Sequence, residues 1–139
     1  MLVPSTITGV RLGRVVLGYV AMTVAVITLS PFHFSFGTRN PLTYAWTSYD
    51  AVMNVIMFVP IGFIYQLSRR DRIHAGWGAA ILVGAALSGL VEFTQMFEPN
   101  RFPSVVDLAT NTLGAGVGAA LAIVAFGPAY MRAGSAGSR

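Results

Sequence analysis

Cysteine and lysine are both absent from this chain, and acidic residues number only five in 139. Without cysteine there is no disulfide, no thiolate metal site and no cysteine nucleophile. The scarcity of charge excludes more. Charged residues make up 10% of the chain, against roughly 25% in soluble domains. Hydrophobic residues make up 55%, and the mean hydropathy is +0.67. Such a surface cannot face water on all sides. The net charge of +4 does not indicate nucleic acid, because the arginines fall at segment ends, where topology determinants sit.

Four apolar runs fill most of the chain, at about residues 12–30, 49–67, 75–97 and 105–126. Each is close to the ~20 residues that cross ~30 Å of hydrocarbon, and lipid offers no partner for unpaired backbone groups. The expected fold class is therefore all-α, a four-transmembrane-helix bundle forming one membrane domain over residues 1–127. Arg11 and Arg14 precede the first run, and no small-residue cleavage site precedes Pro31. That pattern predicts an uncleaved signal anchor. Pro60 predicts a kink in the second helix. Residues 31–48 carry Phe32, Phe34, Phe36, Tyr44 and Trp46, rings that favour the membrane–water interface, so this loop is expected to lie on the surface as a partial lid. From Pro128 the composition predicts a disordered cytoplasmic tail over residues 128–139.

Arg11, Arg14, Arg69, Arg70, Arg72, Arg132 and Arg139 share one side of this topology, while Arg39 and Arg101 share the other. The positive-inside rule then places both termini in the cytoplasm and residues 31–48 and 98–104 outside.

Polar groups inside the spans are where function is sought, since an ionisable residue at a helix centre costs about 2.5–3.5 kcal/mol on insertion scales. Asp50 and Asn54 are four apart, Glu92 and Gln95 three apart, Asp107 and Asn111 four apart. Each pair shares one helix face. At 1.5 Å per residue, Asp50, Gln95 and Asp107 lie roughly 3–5 Å inside the outer boundary, and Asn54, Glu92 and Asn111 roughly 9–10 Å inside. The other half of the spans offers only Tyr65 and Gln66 near its boundary. A one-sided cluster describes an outward-facing pocket between helices two, three and four rather than a channel, which needs polar stations across the full thickness. Arg101, and Arg39 from the longer loop, are placed to fold over the acids and pair with them. Gly114, Gly118 and Ala122 form a small-residue packing seam on the fourth helix, with a shorter one at Ala85 and Gly89 on the third.

Three readings of the polar cluster stand side by side. It binds a ligand; it performs catalysis, with Glu92 and Asp107 as the candidate acid/base pair; or it holds helices together by buried hydrogen bonds. Ser88, Thr94 and Thr110 are the candidate nucleophiles and lack an obvious partner base. His33 and His74 fall in loops. No known metal-ligand spacing is present, and no cofactor is expected.

Asp50-x-x-x-Asn54 followed by Phe58-Val-Pro60-x-Gly62-Phe63, then Glu92-x-x-Gln95, Arg101 and Ser104-x-x-Asp107-x-x-x-Asn111-x-x-Gly114, resembles the VanZ-like family in order and content. The motifs cover about residues 50–118. The resemblance implies a multi-pass protein of the bacterial cytoplasmic membrane, in the setting of the cell envelope. The family is named for a member linked to teicoplanin resistance. It implies as partners a membrane lipid, a lipid-linked cell-wall precursor or a glycopeptide. The motif positions in this chain are Asp50, Asn54, Glu92, Gln95, Arg101, Asp107 and Asn111.

Overall fold

The computed structural model describes residues 4–30, 32–37, 39–69, 76–99 and 101–136. Four helices follow one another: α1 (Pro4–Leu29), α2 (Ser48–Ser68), α3 (Trp77–Gln95) and α4 (Val105–Ala136). All four are long and apolar enough to cross a membrane. Among the described residues there is no strand, only one isolated parallel bridge between Thr43 and Ser104. The molecule is an all-α bundle. Arg70, Arg72, His74 and Arg139 lie outside the described residues.

Two helix ends differ from the sequence expectation. α1 starts at Pro4, ahead of the apolar run, and proline suits a first helical turn because its missing N–H has no partner there anyway. α4 continues through Pro128 to Ala136. The tail expected to be disordered from residue 128 is thus helical as far as Ala136. Pro128 removes one hydrogen bond, but the residues after it include alanine, methionine and arginine, all good helix formers. α2 likewise runs unbroken through Pro60.

Packing is built on close backbone approach. A Cβ added at Gly118 would meet the Val59 carbonyl oxygen at 1.9 Å, and one at Gly114 the Val55 oxygen at 2.3 Å. On the α2 side, a Cβ at Gly62 would meet the Ala115 oxygen at 1.8 Å. The α2–α4 pair is therefore held by backbone contact along the seam Gly114, Gly118 and Ala122. In lipid, where apolar surface gains nothing by leaving the solvent, such packing is the main source of helix association. The third helix uses a different small stripe from the one expected: Ala80, Gly84 and Ser88 are buried, whereas a Cβ at Gly89 would meet nothing.

α1 is the peripheral member. Val24 is the only buried residue among its described side chains, and it packs with Phe58 and Ile61. Large apolar residues elsewhere, such as Leu82, Leu90 and Val124, point outward, as a lipid-facing surface requires.

Residues 32–37 and 39–47 form a strap across one end of the bundle. The amides of Ser35 and Asn40 donate to the carbonyls of Phe97 and Met96 at 2.7 and 2.8 Å. Thr43 N donates to Pro103 O at 2.8 Å, and Val105 N returns a bond to Thr43 O at 3.1 Å. Asn40 Nδ2 adds bonds to the carbonyls of Glu98 and Arg101. The strap is thereby tied to the turn between α3 and α4.

Candidate functional site

At the strap end two helices begin and two finish, so unpaired backbone groups of both kinds collect there. Their capping builds the site. α2 opens on Thr47, whose Oγ1 accepts from Asp50 N at 3.1 Å and donates to Asp50 Oδ2 at 2.6 Å. α4 opens on Ser104, whose Oγ accepts from the amides of Val106 and Asp107 at 3.2 and 3.4 Å. Asp50 and Asp107 hold the same place in a Thr/Ser-x-x-Asp start, at the positive end of a helix dipole that favours a carboxylate. The finishing helix α1 is capped by side chains from across the bundle. Gln95 Nε2 donates to Thr28 O at 3.1 Å, and an Arg101 terminal nitrogen donates to Ser30 O at 3.2 Å.

Glu92 ties the two systems together. It is 7% exposed, and its Oε2 accepts from the buried Ser104 N–H at 2.7 Å. An α3 carboxylate thus satisfies the backbone at the start of α4. One layer deeper, Asn111 Nδ2 donates to Ser88 Oγ at 2.9 Å, while its Oδ1 is buried with no partner. The Asn54 amide approaches the Asp107 carboxylate, too loosely for a full hydrogen bond, so that its Nδ2 is also buried and unpartnered. Asp107 lies within electrostatic range of both Asp50 and Glu92.

These groups surround a cavity of about 760 Å³. Asp50, Asn54, Glu92, Gln95, Arg101, Asp107 and Asn111 all line it. The seven positions singled out from sequence therefore converge on one space at one end of the bundle. The wall is wider than the expected three helices. Ile27 and Thr28 of α1 and Thr43 and Ala45 of the strap also contribute. No sequence signal assigned the strap residues, because their place depends on the long-range backbone bonds that hold the strap down. Ser104 carried a signal, since a serine three residues before an acid is a helix-start signature.

Arg101 lines the cavity, but neither arginine pairs with the acids of the pocket as expected. Arg101 reaches Glu98, with Nε 3.9 Å from Oε2, rather than Glu92 or Asp107. The tight turn puts Glu98 three residues away on the same side, with the carbonyl end of α1 beside it. Glu98 is 2% exposed and was not singled out from sequence. Arg39 lies over the Phe97 ring, 5.4 Å from its centroid, because the two strap bonds to Met96 and Phe97 bring it there. Phe32, Phe34, Phe36, Phe97 and Phe93 form a continuous chain of ring contacts along the strap. Among the described residues, no three acids or histidines are grouped as a metal-ligand set.

Fold and site together define a small four-helix membrane protein with a one-sided polar cavity capped by a strap. The family model of VanZ/LLP1 matches residues 3–126, nearly the whole chain, and the chain belongs to that family. No curated protein and no solved structure is significantly similar to it.

Proposed function

We propose that this protein binds the polar headgroup of a surface lipid or lipid-linked precursor from the outer face of the bacterial cytoplasmic membrane. The observation that carries this reading is the convergence of seven polar residues from three helices and a turn on one cavity. Its lining is rich in acceptors. Three carboxylates stand against one guanidinium, and that guanidinium is already engaged by Glu98 and Ser30. A fitting ligand brings donors: ammonium, hydroxyl or amide groups. Keeping three carboxylates beside lipid is expensive if their only work is to join helices, which amides do more cheaply.

The orientation belongs to the same proposal. By sequence order, seven arginines belong to the termini and the α2–α3 connection and two to the connections on the strap side, which favours cytoplasmic termini and an outward cavity.

A hydrolytic or transfer reaction on such a lipid has less support. The Thr28 hydroxyl donates to the Val24 carbonyl, Thr43 Oγ1 accepts from Ala45 N, and Ser104 Oγ caps α4. The hydroxyls of these three lining residues are committed to the backbone. Glu92, the deeper of the candidate acid/base pair, is committed to Ser104 N.

Native mass spectrometry of the purified protein with envelope lipids tests the reading. Wild type is expected to retain one amine- or sugar-bearing lipid class, and Asp50→Asn with Asp107→Asn is expected to weaken it about tenfold, equivalent to ~1.4 kcal/mol. Equal retention of all lipids by both proteins would sink the proposal. Teicoplanin susceptibility of a sensitive Gram-positive host, wild type against Glu92→Gln and Asp107→Asn at matched membrane abundance, decides whether a glycopeptide shares the site.

A further inference from the structure

We infer that the cavity opens sideways, between α1 and α2, and admits one aminophospholipid whose ammonium sits among the acids while an acyl chain leaves through that gap. This rests on the headgroup-binding reading above and adds the lipid class and the route of entry.

The two sides of the cavity differ in kind. One is polar, from α3, α4 and the Asp50 and Asn54 side chains of α2. The other is made by Ile27 of α1 and by Tyr49, Met53 and Ile56 of α2. Tyr49, Met53 and Ile56 follow one another at i, i+4 and i+7, so they share a face of α2. They are also 72%, 43% and 57% exposed, and Ile27 is 60% exposed. A residue that is both cavity wall and open surface marks a mouth. This mouth is apolar and lies on helices long and apolar enough to cross a membrane, where an embedded surface faces hydrocarbon rather than water. Deeper in the bundle, Val24 and Phe58 pack together with Met57, which also lines the cavity. Because Val24 is the only buried residue among the described side chains of α1, little packing resists a widening of this gap.

A purely polar solute does not match the apolar sill, and a bare hydrocarbon does not match three carboxylates. A lipid with a cationic head matches both. An ammonium group offers three donors. The available acceptors include Asp50, Asp107 and the buried, unpartnered Oδ1 of Asn111, a residue 2% exposed. At the rim, Arg101 is 45% exposed; its Nε and one terminal nitrogen face Glu98 and Ser30, and the other terminal nitrogen suits the phosphate of the same headgroup.

The test uses full-length protein in phosphatidylcholine nanodiscs with a trace of phosphatidylethanolamine or phosphatidylglycerol, each carrying a diazirine in one acyl chain. After photolysis, labelled residues are mapped. The ethanolamine lipid is expected to label Ile27, Met53 and Ile56 about tenfold more than Leu82 and Leu90, which face lipid away from the cavity, a ratio equal to ~1.4 kcal/mol. The glycerol lipid is expected to label both groups alike. Even labelling by the ethanolamine lipid, or equal enrichment of the two lipids at the mouth, overturns the inference. Water-soluble glycerophosphoethanolamine separates this failure from that of the underlying reading. If labelling is even but this headgroup still binds wild type and not Asp50→Asn with Asp107→Asn, the pocket stands and the lateral route falls. If it binds neither protein, both fall.

Discussion

At Glu92 one carboxylate oxygen meets one backbone amide, in a buried place at the wall of the cavity. Removing the acceptor strands Ser104 N–H, and a buried unpaired donor costs about 1–3 kcal/mol. Glu92→Ala is therefore expected to lower stability by that amount, measured by thermal or SDS-induced unfolding in micelles. Glu92→Gln keeps a carbonyl oxygen in reach of Ser104 N and is expected to lose less than about 1 kcal/mol. Equal losses in the two variants would show that the charge, and not the acceptor, is what α4 needs. The contrast also sets Glu92 apart from Asp50. The Asp50 carboxylate is exposed and held only by its own cap residue, which leaves it freer to meet a ligand.

Residue-level chemistry was legible in the sequence wherever a local rule governs it. The pairs Asp50/Asn54, Glu92/Gln95 and Asp107/Asn111 sit on single faces because helix spacing alone decides that. The partners of Arg101 and Arg39 are not legible in the sequence, because they are settled by the path of a turn and a strap. Local spacing carries no information about either path.

Among the elements, α2 and α4 depend on each other most closely. A methyl group at Gly118 has nowhere to go: its nearest neighbour is the Val59 carbonyl, a backbone atom that moves only if the helices part. Gly118→Ala is expected to destabilise by about 1–3 kcal/mol, the usual range for overpacking. Gly89→Ala, which meets nothing, is expected to be neutral or slightly stabilising because alanine is the better helix former. Unfolding of the two variants in the same micelles checks this. A Gly118→Ala variant as stable as wild type would mean that the seam is looser than described. The seam on α4 was readable from its four-residue spacing. The stripe on α3 was not, because small residues surround that helix: Ala80, Gly84, Ala85, Ser88 and Gly89 point in different directions. Which of them faces inward is settled by how α3 crosses α4. Helix ends were misread for a related reason. Hydropathy reports where a helix meets lipid, and α1 and α4 both continue beyond that zone.

Those continuations bear on the whole molecule. α4 has 32 residues, which span about 48 Å at 1.5 Å each, well beyond ~30 Å of hydrocarbon. α1 has 26, about 39 Å. Both overhang at the end opposite the strap, and both carry arginines there: Arg11 and Arg14 at the start of α1, Arg132 near the end of α4. The positive-inside rule favours the cytoplasm for cationic overhangs of this kind, which is the proposed orientation with the cavity outward. The absence of cysteine makes the test clean, since each introduced thiol is the only one. Gly37→Cys in the strap is expected to react with a membrane-impermeant maleimide in intact spheroplasts. Ser135→Cys near the end of α4 is expected to react only after permeabilisation. The reverse pattern would move the cavity to the inner leaflet. Lipid binding through the α1–α2 mouth would remain possible there, because an aminophospholipid occupies both leaflets. A glycopeptide confined to the outer surface could not reach the acids, so that arm of the function would fall with the orientation while the pocket survived it.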